Sequence, residues 1–148
     1  MYQAKDAMTT DVVTISPDAT IEEAMRLLIN QRISGAPVVD RNGKLVGIIS
    51  EYQLLEVVYD PELKAQHVSD FMTRNVITVD PEALLASVAN MFVLHRIRRL
   101  PVVQSGRLIG VIARRDLLQY IIESGAPIQN FFDELRSFTK PEPAATGA

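Results

Sequence analysis

The spacing of apolar positions changes several times along the chain, and each change marks an element. Behind Thr20-Ile21-Glu22-Glu23, which has the spacing of a capping box, Ile21, Ala24, Met25 and Leu28 fall on one face of a helix running to about Asn30. Ala36-Pro37-Val38-Val39 and Leu45-Val46-Gly47-Ile48-Ile49 then read as two strands around an Asn42-Gly43 turn, a dipeptide that tolerates the positive φ a tight hairpin needs. Tyr52 to Tyr59 predicts a second helix, stopped by Asp60-Pro61. The same order returns later. Pro81 to about Leu94 is helical, with Leu85, Val88, Ala89 and Phe92 on one face, a hairpin turns at Ser105-Gly106, and a helix starts near Arg114.

The return is a duplication. Lys5-Asp6-Ala7-Met8-Thr9-Thr10-Asp11-Val12-Val13-Thr14-Ile15-Ser16-Pro17 is echoed about 64 positions on by Ser69-Asp70-Phe71-Met72-Thr73-Arg74-Asn75-Val76-Ile77-Thr78-Val79-Asp80-Pro81. Arg32-Ile33 returns as Arg96-Ile97, Pro37-Val38-Val39 as Pro101-Val102-Val103, and Gly47-Ile48-Ile49 as Gly110-Val111-Ile112. Each copy reads as short strand, helix, strand, strand, helix. A copy of about 50 residues is too small to bury a convincing core by itself, so the two should pack as one module.

The expected organisation is a first repeat over residues 1–59, a linker over 60–67, a second repeat over 68–123, a helix over 124–138 and a disordered tail over 139–148. In the penultimate segment, Ile128, Phe131, Phe132, Leu135 and Phe138 make an apolar stripe that should dock on the module or on a second subunit.

Composition narrows the functional classes. With 47% hydrophobic and 22% charged residues, the chain resembles an ordinary globular protein. No cysteine is present, so disulfides, thiolate metal sites and cysteine catalysis are excluded. No apolar run approaches the roughly 20 residues that span a bilayer, and the first residues lack an apolar signal core, so a cytoplasmic location without membrane contact is the expectation. Charge is uneven: residues 1–67 hold six Lys/Arg and ten Asp/Glu, whereas residues 68–118 hold seven arginines and four acids. Seven arginines in a mildly acidic chain fit a local anion site better than a nucleic-acid stripe, and equally fit a solvated face.

Catalytic patterns are missing. There is no Gly-x-x-x-x-Gly-Lys-Ser/Thr loop and no Gly-x-Ser-x-Gly elbow, and Ser50 has no obvious base. His67 and His95 stand alone, which predicts no metal site. Glu22-Glu23 lies in a helix first turn, where the dipole explains it. The expectation is a protein that is not an enzyme.

The chemistry-bearing stretch is Gly110-Val111-Ile112-Ala113-Arg114-Arg115-Asp116. A strand glycine lets a ligand approach the backbone, and the following helix start offers unpaired N–H groups to an anion. Arg114 and Arg115 put cations where the helix dipole favours carboxylates, which suggests a binding reason. Asp116 can accept from two neighbouring hydroxyls at once, as a ribose diol requires, or can simply cap the helix.

The opening Asp-x-Met-Thr, the Ser/Asp-Pro before a helix, Arg-Ile-x-x-x-Pro-Val-Val, and the Gly-Ile-Ile leading into a helix together resemble the CBS motif, named after cystathionine beta-synthase. Two in tandem over about residues 5–120 are similar to a stand-alone paired CBS module. The resemblance implies an α/β (α+β) fold of two pseudo-twofold-related repeats enclosing two clefts that take adenosine compounds. The family signature Gly-h-h-Ser/Thr-x-x-Asp, with h apolar, is split here: the second repeat keeps Asp116 but has Ala113 for the hydroxyl, and the first keeps Ser50 but has Gln53 for the acid.

By that resemblance the cleft of Asp116 also takes in Asp11, Val13, Ile33 and Ser34, with Val13 and Ile33 sandwiching an adenine. Arg98, aligned with Ser34, would meet phosphate, or is a surface arginine. The twin cleft, formed by Ser50, Gln53, Asn75, Ile77 and Ile97, faces Glu51 in place of Arg114 and is the poorer anion site. The resemblance therefore implies a regulatory module that binds AMP, ADP or ATP and signals by closing its repeats or shifting a dimer, for an unidentified protein partner to read. The alternatives are a ligand-free homodimerisation module and an S-adenosylmethionine binder.

Overall fold

Each repeat turns its central apolar runs into a two-stranded antiparallel sheet within the computed structural model, which describes residues 2–125. In the first repeat β1 (Gly35–Val39) pairs with β2 (Leu45–Ser50), and in the second β3 (Arg99–Gln104) pairs with β4 (Arg107–Ala113). Both sheets carry a bulge at the same place, after Val38 and after Val102. The second hairpin is the tighter: Ser105 and Gly106 have φ of 52° and 80°, the two positive values that a two-residue turn matching strand twist demands. In the first, the Asp40 carboxylate accepts from the amides of Asn42 and Lys44 at 2.9 and 3.0 Å and holds the longer turn. The two hairpin tips then pair with one another, Leu45 N–H donating to the Gly106 carbonyl and Leu108 N–H to that of Gly43.

Helices α2 (Ile21–Gln31) and α5 (Leu85–His95) cover these sheets through Ile21, Ala24 and Leu28, and through Leu85, Ala86, Val88 and Phe92. The Thr20 hydroxyl accepts from the Glu23 amide at 3.1 Å, as the capping spacing predicts. Both helices end on an arginine in the left-handed region, Arg32 and Arg96. The closing helices are α3 (Glu51–Leu54) and α6 (Arg114–Glu123).

The sequence repeats are not the packing units. The leading helix of the first repeat, α1 (Ala4–Ala7), belongs to the core of the second: Ala4 is fully buried there with Leu85, Leu100, Val102 and Ile112. Reciprocally, α4 (Val68–Phe71) opens the second repeat but enters the first core, where Val68 is fully buried beside Ile21, Val38 and Ile49. Full burial of a valine side chain favours the folded state by about 1.5–3 kcal/mol. Backbone pairing seals each exchange. Thr9 and Val111 trade N–H···O bonds at 2.9 Å, and Thr73 and Ile48 trade theirs at 2.8 and 2.9 Å. From these anchors residues 10–14 and 74–78 cross between the repeats as straps, until Ile15 pairs with Val38 and Val79 with Val102 as single parallel bridges. The short opening strand expected of each repeat is reduced to those bridges.

Two helix boundaries differ from the sequence expectation. The helix expected from Pro81 starts at Leu85, because the carbonyls of Pro81 and Ala83 accept from the amides of Lys5 and Ala4 in the exchanged leader and so cannot serve a helix. The helix expected over Tyr52 to Tyr59 is one α-turn continued as a 3-10 turn, Leu55–Val58, and the linker holds another, Pro61–Ala65. The 124–138 helix and the 139–148 tail lie outside the described residues except for Ser124 and Gly125, which form a turn after α6.

Gly47 and Gly110 mark where each leader crosses the opposite sheet. A Cβ on Gly47 would stand 2.7 Å from the Met72 sulfur and 2.8 Å from the Thr73 carbonyl oxygen, and one on Gly110 would stand 2.7 Å from the Met8 sulfur and 3.0 Å from the Thr9 carbonyl oxygen. Methionine can shift, but the carbonyls are fixed by the pairing itself. Gly47→Ala should therefore destabilise the protein by about 1–3 kcal/mol, and Gly110→Ala by no more than that. Urea unfolding checks this as a lowered midpoint at unchanged slope, and an unshifted midpoint would contradict the close approach.

The exchanged N-terminus also meets α6. The rings of Tyr2 and Tyr120 pack edge-on with centroids 5.8 Å apart, and burial, followed by the nearby Asp6 charge and Tyr2, raises the pKa of the Tyr120 hydroxyl. The unfolded chain then releases this proton first, so the contribution is intact below about pH 10 and is lost as pH rises through the folded value. Tyr120→Phe should show a smaller loss of stability on raising the pH past that point, read by denaturant midpoints at a series of alkaline pH values.

Candidate functional site

The two helix starts that follow β2 and β4 are built alike, and their differences define the candidate site. At each, the strand runs straight into the helix and the first helical amide is tied to the chain entering the neighbouring strand: Glu51 N–H donates to the Ser34 carbonyl at 3.0 Å, and Arg114 N–H to the Arg98 carbonyl at 3.3 Å. The N-cap residues Ser50 and Ala113 are both extended, with ψ of 166° and 157°. The side chains at the third helical position, Gln53 and Asp116, set the two apart.

In the second repeat the half-buried Asp116 folds back, and its Oδ2 accepts from the Ala113 amide at 2.8 Å. The capping reading of Asp116 is thus realised for one carboxylate oxygen. Oδ1 has no hydrogen-bond partner among the described residues and can accept from a hydroxyl. Ala113 has no side-chain acceptor for the first-turn amides. Arg98, Arg114 and Arg115 are exposed around this turn. Among the described residues the one ion pair is Arg26–Glu22, so none of these three is neutralised by a carboxylate. The result is a helix start with one free carboxylate oxygen and three exposed, unpaired arginines on its first turn or on the chain bonded to it, a combination suited to a ligand that carries both hydroxyls and an anion.

In the first repeat the corresponding carbonyl oxygen is already engaged twice. Gln53 Oε1 accepts from the Ser50 amide at 2.6 Å and from the Ser50 hydroxyl at 2.8 Å, while its Nε2 donates to the Thr73 hydroxyl. Gln53 therefore links the first repeat's helix to the second repeat's leader, and Glu51 beside it is exposed and acidic. A shallow depression lined by Ile21, Gln53, Glu56, Val57, Leu63 and Phe71 lies next to it.

The remaining expected residues sit on the straps and strand entries. Asp11, exposed, and Val13, half-buried, lie on the strap that leaves Val111 for Val38, and Asn75 and Ile77, both exposed, occupy the matching places on the other. Ile33 and Ile97, half-buried, pack on the first and second cores respectively. The structure joins Arg98 to Arg114, Ser34 to Glu51 and Ser50 to Gln53, whereas no hydrogen bond among the described residues links Asp11, Val13, Ile33 or Ser34 to Asp116. Thr73 was not among the sequence candidates, although the duplicated Met-Thr pair marks it. Among the described residues no group of three or more His, Asp or Glu side chains could hold a metal ion, and no helix is long and apolar enough to cross a membrane.

A duplicated unit with exchanged leaders and a matching helix start in each copy defines a tandem-repeat module. The comparisons agree. The CBS domain family matches residues 4–60 and 68–123. Protein MJ1225 of Methanocaldococcus jannaschii is 32% identical over 117 residues, 79% of this chain, and the chain spans 42% of that protein's length. CBSX2 in complex with AMP superposes with a TM-score of 0.76 at 29% identity, over 84% of this chain and 99% of that one, and a second structure of CBSX2, a CBS-pair protein from Arabidopsis thaliana, superposes with a TM-score of 0.75 at 28% identity. The CBS domain pair of protein MJ0100, in complex with 5'-methylthioadenosine and S-adenosyl-L-methionine, superposes with a TM-score of 0.69 at 28% identity, over 84% of this chain and 98% of that one. The chain belongs to the CBS domain family, as a tandem pair.

The Gln53 contacts should act as a structural latch. Gln53→Ala leaves the half-buried Ser50 amide without its acceptor and should cost about 1–2 kcal/mol. A double-mutant cycle with Thr73→Val, measured by urea unfolding, should give a coupling of at least about 0.5 kcal/mol, and additive effects would rule the latch out.

Proposed function

We propose that the chain is a regulatory module, not an enzyme, that binds an adenine nucleotide, AMP, ADP or ATP, in the Asp116 cleft. The observation that carries this reading is the free Oδ1 of Asp116 at a helix start whose neighbouring arginines, Arg98, Arg114 and Arg115, are exposed and unpaired. A ribose diol donates to the carboxylate, the phosphates meet Arg98, Arg114, Arg115 and the first-turn amides of α6, and the adenine lies between Val13 and Ile33 near Asp11 and Ser34. The AMP complex of CBSX2 supports an adenosine-type ligand, and the MJ0100 complex supports S-adenosylmethionine as the alternative ligand of the same cleft. Binding favours whichever arrangement of the repeats holds the ligand better, and a homodimer built through the helices of both repeats passes that change to a protein partner.

A second reading is supported by Gln53 and Ala113. With Gln53 committed to Ser50 and Thr73, the twin cleft of Ser50, Gln53, Asn75, Ile77 and Ile97 is poorly equipped for a nucleotide, and the Asp116 cleft lacks a hydroxyl at Ala113. If the Asp116 cleft were empty as well, the module would serve as a ligand-free homodimerisation unit.

Asp116→Ala removes about two charge-assisted hydrogen bonds worth ~1.5 kcal/mol each and should weaken binding of AMP, ADP or ATP roughly a hundredfold, measured by calorimetry on the folded variant. Asp116→Asn keeps a capping oxygen and should separate the helix contribution from binding. Any of these nucleotides, or S-adenosylmethionine, at about 100 times its Kd should add about 2.7 kcal/mol of stability in a thermal-shift series. A flat response to all four from a protein that is dimeric would favour the second reading.

A further inference from the structure

The duplication brings two cations together at a place the helix starts do not use. Gly43-Lys44-Leu45 and Gly106-Arg107-Leu108 occupy the same position in the two copies, and the pairing of the hairpin tips sets Lys44 directly opposite Arg107 in an antiparallel bridge. The flanking bonds, Leu45 N–H to the Gly106 carbonyl and Leu108 N–H to that of Gly43, make this a non-hydrogen-bonded pair, the kind whose side chains stand closest. Each side chain also reaches the other hairpin. The Arg107 guanidinium lies over Gly43, with Nη2 3.4 Å from where a Cβ would stand, and the Lys44 stem passes Gly106, with Cγ and Cε each 4.0 Å from the equivalent point. Like charges directly opposite one another destabilise a strand pair. Neither cation is neutralised, because among the described residues the one ion pair is Arg26–Glu22. Arg41 adds a third unpaired cation on the first turn, and its neighbour Asp40 commits Oδ1 to the Asn42 and Lys44 amides.

We propose that the paired hairpin tips are a docking surface for an acidic segment of a protein partner, held by Lys44, Arg107 and Arg41. A carboxylate seated between the first two relieves the repulsion that the pairing imposes on them, so the tips favour a bound anion over none. Exposure favours a segment of a macromolecule over a small anion. Arg41, Asn42, Lys44, Gln104, Ser105 and Arg107 are all exposed, whereas small-molecule sites are concave and bury most of what they hold. Charge favours protein over nucleic acid. Three cations fall well short of the roughly 6–10 phosphates a DNA-binding protein contacts, and the chain carries a net charge of −3. The surface stands apart from the nucleotide reading, since β4 separates Arg107 from the Asp116 helix start by about 20 Å at ~3.3 Å per residue. It is also placed to sense the module as a whole, because both repeats build it and it rests on the bonds that join their sheets.

The test is an NMR titration of the isotope-labelled full chain with a synthetic decapeptide of alternating Glu and Ser, and with its Gln-Ser counterpart as neutral control. The acidic peptide alone should shift the amides of residues 41–45 and 105–108, with a Kd that rises about tenfold between roughly 0.05 and 0.5 M salt. Lys44→Glu and Arg107→Glu separate docking from stability. Each replaces a like-charged pair by an opposite one, so each should raise the urea midpoint while weakening the peptide about tenfold or more. Lowered midpoints for both variants would mean that the cations are not held against repulsion, and would overturn the proposal. So would an acidic peptide that shifts no tip amide, or that shifts only the amides around Arg98, Arg114 and Arg115. Tips that bind inorganic phosphate or a short DNA duplex more tightly than the peptide would overturn the protein segment as the occupant. Each of these failures leaves the nucleotide reading standing, because none of them touches Asp116.

Discussion

Each sheet of this protein is crossed by a leader that belongs to the other repeat, and that crossing constrains the rest of the molecule. Met8-Thr9 lies over Gly110 and Met72-Thr73 lies over Gly47, each close enough that one methyl group on the glycine would collide with a paired carbonyl. Two cores result, but neither is made by one repeat. Ala4 completes the second and Val68 the first, and both are fully buried. A repeat cut out of the chain would lose its own leader's destination and the leader that fills its core. The two halves are therefore expected to unfold as one cooperative unit.

The same crossing makes room for chemistry. A leader anchored on one sheet must return to its own, and residues 10–14 and 74–78 do so as straps between the repeats. Beside each strap a strand delivers a helix start whose amides are directed by the backbone, not by side chains, so the scaffold is the same twice over. Side chains can then diverge without disturbing it. At the third helical position Asp116 leaves an oxygen free, whereas Gln53 spends its carbonyl on Ser50 and its amide on Thr73. Near-identical geometry thus yields one helix start with open valence and one that is a clasp.

How much of this could be read in the residues depends on the range of the interaction responsible. The hairpins were legible because Asn42-Gly43 and Ser105-Gly106 determine their turns locally, and α2 because Thr20 caps it and its apolar positions repeat with helical period. The start of α5 was not legible: Pro81 to Leu84 has a helix-like pattern, but its carbonyls are claimed by the amides of Lys5 and Ala4, about 80 residues away in sequence. The shortening of the helix after Ser50 was hidden for want of a local stop signal before Asp60-Pro61. Within the candidate site the duplication brought out Asp116 and Gln53 by their difference. That Asp116 can cap its own helix was legible from its place in the first turn, but nothing singled out Thr73, because the partner of a polar side chain depends on tertiary placement that no periodicity encodes.

The exchange bears on how a cleft could signal. If each repeat packed only on itself, a ligand at one helix start would tighten one half and leave the other unaffected. Here the strap carrying Asp11 and Val13 is bonded at one end to Val111, through Thr9, and at the other to Pro37 and Val39, through Ile15, so a ligand that fixed the strap against α6 would set the position of the first sheet relative to the second. The hairpin tips, joined through Leu45 and Leu108, are a second tether between the two sheets. A change at the Asp116 helix start would then reach α2 and α3 without passing through the apolar cores, which resist continuous deformation. The size of the response would be bounded by the difference in ligand affinity between the two arrangements and by nothing else.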